Sequence, residues 1–161
     1  MSISQLVKDT WQINDGMNEV LLEHLTPDML SLKTPDKNWS VAGYLAHLAG
    51  SKKWWASHIN KEDVASLPDL YQEIEGSFVA EKDVEKIKAV FAETSKTLLE
   101  SAERATNKGA LPYASIDHYL IHMTMHDAHH RGQILLLLRS AGYAPPDEDT
   151  FWGGWWLEQN S

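Results

Sequence analysis

The chain has 161 residues, 43% of them hydrophobic and 23% charged, with a formal net charge of −9. This length suits one domain spanning 1–161, and the composition is that of a folded chain, not a disordered one. An acidic chain without a dense Lys/Arg block is unsuited to nucleic acid or anionic lipid, and without cysteine any metal site must draw on His, Asp or Glu.

The N-terminal stretch MSISQLVKDTW lacks the basic segment and apolar run of a secretory signal. The most compact aliphatic run, Ile134–Leu138, is far too short to cross a bilayer. Together these features predict a cytoplasmic protein.

Periodicity predicts four helical segments separated by Pro, Gly, Ser and Asn stretches. The first covers Ser4–Leu25, with Leu6, Thr10, Ile13, Met17, Val20 and His24 on one stripe. Thr26-Pro27-Asp28 ends it, because proline cannot continue the hydrogen-bond ladder. The second covers Val41–Ile59, with Ser40 as N-cap, Trp39 as a packing anchor before it, and a stripe of Val41, Tyr44, Leu45, Leu48, Trp55 and Ile59. A long connection follows over Asn60–Glu81, with a short helix around Leu67–Ile74 and no strand. The third helix covers Lys82–Thr106, with Val84, Ile87, Phe91, Leu98 and Ala102 inward and Asn107-Lys108-Gly109 as the stop. The fourth covers Ile116–Ala141, with Ile116, Leu120, Met123, Ile134, Leu137 and Leu138 as its stripe, Gly142 just beyond its end and Pro145-Pro146 blocking extension. The fold class is therefore all-α, an antiparallel four-helix bundle whose long connection between the second and third helices permits a crossover.

Five of the eight histidines fall between His118 and His130. His118, His122, His126 and His130 are each four apart, and each step of four drifts by about 40° around a helix, so they cannot all face one atom. With Ile116 and Ile134 at the centre of the apolar face, His130 lies within about 40° of it and His126 within about 80°. These two are the inward pair, one turn apart and able to reach a single metal. The competing reading is that they are core histidines satisfied by hydrogen bonds. Asp127 lies in the middle of the apolar stripe, where a carboxylate must be paired or hydrogen-bonded. Arg131 is the nearest candidate partner for a structural ion pair; the functional alternative is an acceptor that orients a ligand histidine. The string His126-Asp127-Ala128-His129-His130 has Asp where the H-E-x-x-H peptidases need the longer Glu, so a peptidase of that type is discounted.

The segment Asn38-Trp39-Ser40-Val41-Ala42-Gly43-Tyr44-Leu45-Ala46-His47-Leu48 resembles the W-S-…-H-L signature of the DinB/YfiT-like superfamily. His126-Asp127-Ala128-His129-His130-Arg131-Gly132-Gln133-Ile134 resembles its H-x-x-H-H-R-G-Q. The order of the motifs and their gap of roughly eighty residues agree with that pattern, and the resemblance covers nearly the whole chain. It implies a four-helix bundle with a divalent metal on His47 of the second helix and His126 and His130 of the fourth; histidine-rich sites take zinc, nickel, iron or copper, and zinc or nickel is expected here. It implies a metal-dependent small-molecule transferase or related hydrolase, similar to the thiol S-transferases that use low-molecular-weight bacterial thiols. The alternative is a non-catalytic metal- or ligand-binding stress-response protein. It further implies a homodimer, for which the tryptophan-rich tail Phe151–Trp156 offers apolar surface. That tail, Trp54 and Trp55 are candidates for packing or for an aromatic wall beside the metal. Gly132, in mid-helix, suggests a close helix contact. No general base can be assigned from the residues.

Overall fold

Caps and prolines divide the chain where its helices end. The computed structural model describes residues 3–33, 39–105 and 113–152. Helix α1 spans Gln5–His24, α2 Val41–Ile59, α3 Val84–Arg104 and α4 Ile116–Ser140, with a short α5 at Glu148–Trp152. Turns of 3-10 helix lie at Met29–Ser31 and Glu62–Val64. The protein is thus mostly helical, and among the described residues no helix is long and apolar enough to cross a membrane.

Side-chain and glycine caps account for most boundaries, the expected Ser40 and Gly142 among them. Ser40 Oγ accepts the Gly43 amide at 3.0 Å and opens α2. Ser115 does the same for α4 through the His118 amide. Asp83, not the region of Lys82, opens α3 by accepting the Glu85 and Lys86 amides. At the other end of α4, Gly142 has a φ of +84°. Its N–H donates to Arg139 and that of Tyr143 to Leu138, a Schellman closure that the missing Cβ makes inexpensive. The stop signal expected at Asn107-Lys108-Gly109, the third-helix end at Thr106 and most of the aromatic tail lie outside the described residues.

Two expectations are corrected. The connection carries no helix at Leu67–Ile74; instead Tyr71–Ile74 (β1) pairs antiparallel with Ser77–Ala80 (β2). Glu75 and Gly76 both have positive φ, at 51° and 77°, as a two-residue type I′ turn requires. In α1 the buried stripe is rotated: Leu6 is 76% exposed, while Val7 and Trp11 are buried. The reason is that Asn14 and Asn18 share the inward face, so apolar periodicity misplaced its centre.

α1 packs against α3 and α4, and α2 packs against α3 and α4. Two apolar clusters fill the interior. One holds Leu21, Leu45, Leu48, Phe91, Ile134 and Leu138; the other holds Trp11, Ala56, Leu98, Tyr119, Leu120 and Met123. Helices α1 and α4 run from the second cluster to the first, whereas α2 and α3 run from the first to the second. The packed neighbours α2 and α3 therefore share a direction. The long connection with its hairpin carries the chain back between them, because parallel neighbours cannot be joined by a tight turn.

Candidate metal centre

Ser40 starts α2 so that His47 falls nearly two turns in, on the flank of the buried face. On α4, His126 and His130 are one turn apart and both half-buried. Folding brings the three together: one ring nitrogen from each lies within 4.8 Å of the others. His47 Nε2 and His126 Nε2 are 3.1 Å apart. The ring centroids are separated by 5.1, 4.8 and 4.6 Å. Among the described residues this is the one group of three or more His, Cys, Asp and Glu with ligand atoms so gathered.

The electrostatics disfavour the charged form at two of the three rings. Burial pushes His126 down to about 4, helped by His130 and His47. Burial and the neighbouring His130 also lower His47. Neutral imidazoles offer lone pairs, the form in which histidine binds metals. Gln133 Oε1 accepts from His130 Nδ1 at 2.6 Å, which leaves the Nε2 lone pair of that ring for the cluster. The sequence reading assigned Gln133 no such part; its spacing of three from His130 was the available signal. The other histidines are used elsewhere. His118 meets its cap residue Ser115, His24 the Ala144 carbonyl and His58 the Trp54 carbonyl. His122 contacts the Tyr113 hydroxyl, and His129 is exposed.

The aromatic wall comes from an unexpected place. Trp39 lies 5.1 Å from the His47 ring and 6.4 Å from His130, and Tyr44 lies 5.6 Å from His130. Trp54 and Trp55 instead pack with His58, Tyr113, Tyr119 and His122. Phe151 joins the first apolar cluster. A cleft of about 830 Å³ is lined by Trp39 together with Ser40, Tyr71, Phe78 and Lys82. None of the three histidines lines it, and Trp39 is what joins it to them.

Asp127 is wholly buried, and its charged partner is Lys52, not Arg131: Lys52 Nζ lies 2.9 Å from Asp127 Oδ2, both side chains at 0% exposure. The same oxygen accepts from Asn14 Nδ2 at 2.9 Å and Asn18 Nδ2 at 2.8 Å. Arg131 NH1 donates to the other ends of those two amides, at 2.9 and 2.7 Å. Burial pushes the Asp127 carboxyl up, but Lys52 and the two amides outweigh it and hold it below the usual range. Asp127 therefore serves this network, and its hydrogen bonds come from no histidine. Sequence spacing pointed to Arg131 because it sees only one helix; Lys52 comes from another. The close helix contact expected at Gly132 is absent among the described residues: a Cβ there would meet nothing within 4 Å.

No curated protein and no solved structure matches the chain. The model of the DinB family matches residues 1–160. Together with the two histidine motifs and the cluster they form, this places the chain as a member of the DinB family.

Proposed function

We propose that His47, His126 and His130 hold one divalent metal ion, zinc or nickel, and that the protein is a metal-dependent small-molecule transferase of the thiol S-transferase type. The observation that carries this reading is the convergence of three imidazoles from two helices within 4.8 Å. The spacing supports it: zinc–nitrogen bonds of about 2.0–2.1 Å in a tetrahedron set neighbouring nitrogens about 3.3 Å apart. The 3.1 Å between His47 and His126 is close to that edge.

Three neutral ligands leave the ion its full charge and open positions. When bound, it supplies Lewis acidity that brings a thiol or water toward deprotonation near neutral pH. The chain's own residues do the rest. Gln133 fixes the orientation of His130, Trp39 and Tyr44 pack beside the rings, and the cleft that Trp39 lines offers a small molecule a place to bind. The architecture we infer is a four-helix bundle, and the family reading extends to a cytoplasmic homodimer, which sedimentation of the purified chain tests.

Elemental analysis decides the site. The purified chain is expected to carry about one equivalent of metal, and the His126→Ala/His130→Ala variant none; equal contents would overturn the reading. The alternative, a non-catalytic metal- or ligand-binding stress-response protein, shares the site. It is favoured by the engagement of Asp127 in its buried network, which takes the nearest acid out of proton transfer. Turnover of an electrophile by metal-loaded protein with a low-molecular-weight bacterial thiol separates the two.

A further inference from the structure

Five of the buried polar side chains are not scattered, whereas Ser101 on α3 sits between Leu98 and Ala102 of one apolar cluster. On α1, Asn14 and Asn18 follow Val7 and Trp11 of one apolar cluster and precede Leu21 and Leu22 of the other. On α2, Lys52 falls between Ala49 and Ala56, which belong to different clusters. On α4, Asp127 and Arg131 fall between Met123 and Ile134, divided the same way. The polar residues thus form one layer across the interior with apolar packing above and below it. They are joined side chain to side chain: Lys52 to Asp127, Asp127 to both asparagines, both asparagines to Arg131.

This layer is tied covalently to the histidines. Asp127 follows His126 in the chain, Arg131 follows His130, and Lys52 lies five residues beyond His47. Side-chain tips ride about 5–6 Å from a helix axis, so turning α4 by about 20° would swing each imidazole by about 2 Å. Metal–ligand distances tolerate about 0.2 Å. Apolar packing is non-directional and allows such turns with modest repacking. Hydrogen bonds with fixed donors and acceptors do not. A slide of one turn along the axis would press Lys52 or Asp127 into an apolar cluster, where an unpaired charge is strongly disfavoured.

We propose that Asn14, Asn18, Lys52, Asp127 and Arg131 are positioning residues for the histidine site: their layer sets the rotation and axial register of α4 against α1 and α2, and so the convergence of the three imidazoles. The inference rests on the metal reading above for one of its two tests and is independent of it for the other.

The test replaces the layer with apolar groups of similar size, as N14L/N18L/K52M/D127L/R131M in the full chain. Buried ionic layers replaced in this way can keep or gain stability. Thermal unfolding is expected to stay cooperative. Cobalt(II) titration is expected to show affinity lowered on the order of tenfold or more, with weaker tetrahedral absorption bands than the parent. A folded variant with the parent's affinity and bands overturns the inference. The second arm uses metal-free protein and long-range ¹H–¹⁵N spectra of the histidine rings. The signals of His47, His126 and His130 are expected to shift or broaden while those of His24 and His58 stay. Unchanged signals from the three overturn the inference. A parent chain that takes up no cobalt defeats the metal reading alone, and the ring spectra then decide the inference. If the five-site variant does not fold, Asn18→Ala, which leaves Asn14 in place, is read by the same two measurements with the same outcomes.

Discussion

At the scale of the residue, the chemistry is set by burial acting on titratable groups in opposite senses. The depressed histidines stay neutral and ligand-ready, whereas Asp15 is pushed the other way. Burial raises its carboxyl from 3.8 to about 6, against the pull of Lys52 and a hydrogen bond from Ser95 Oγ. The folded protein therefore keeps a proton that the unfolded chain gives up near pH 4. Stability is expected to be highest, as far as this group is concerned, below about pH 4 and to be lost as pH rises through about 6. Asp15→Asn should raise stability at pH 7 by about 1–3 kcal/mol and change it little at pH 4, as urea unfolding at the two pH values would show. Gln133 makes a second test. Gln133→Leu removes the acceptor that orients His130 and is expected to lower zinc affinity by about 10–100-fold. Competition with a chromophoric chelator would measure this, with the far-ultraviolet circular dichroism unchanged.

At the scale of the element, α4 carries most of the chemistry and also an apparent blemish. Gly132 sits exposed within it, with open space where a side chain would go. Glycine inside a helix is disfavoured relative to alanine by about 0.5–1 kcal/mol. Gly132→Ala is therefore expected to raise the unfolding temperature by about 1–4 °C, read by calorimetry; a fall would mean that something packs against this position. In the hairpin the logic reverses. Gly76 adopts a φ of +77° in open space, so the cost of a side chain there is backbone strain and not collision. α2 shows how one helix serves two functions. Its early turns carry the cap and His47, and its later turns send Lys52 into the polar layer.

At the scale of the whole molecule, metal binding and folding are linked, because the three ligands meet only when α2 and α4 are packed. Zinc at about 100 times its dissociation constant is expected to add about 2.7 kcal/mol. The unfolding temperature should rise on zinc addition and return with a chelator, and the His126→Ala/His130→Ala variant should not respond. The two apolar clusters and the polar layer between them divide the labour. The clusters supply non-directional burial energy. The layer supplies orientation.

The four long helices, the caps at Ser40 and Gly142 and the inward pair His126 and His130 were legible in the sequence, because spacing along one helix is a local property set by 3.6 residues per turn. Resemblance pointed to His47, which its own helical wheel placed only on a flank. The rotated face of α1, the Glu75-Gly76 hairpin and the pairing of Asp127 with Lys52 were decided by tertiary structure. Asn14 and Asn18 find their partners in Asp127 and Arg131, more than a hundred residues away. Periodicity reports which face of a helix is apolar; it carries no information about which polar group on another helix will satisfy a buried one. That information appears only when the helices are packed.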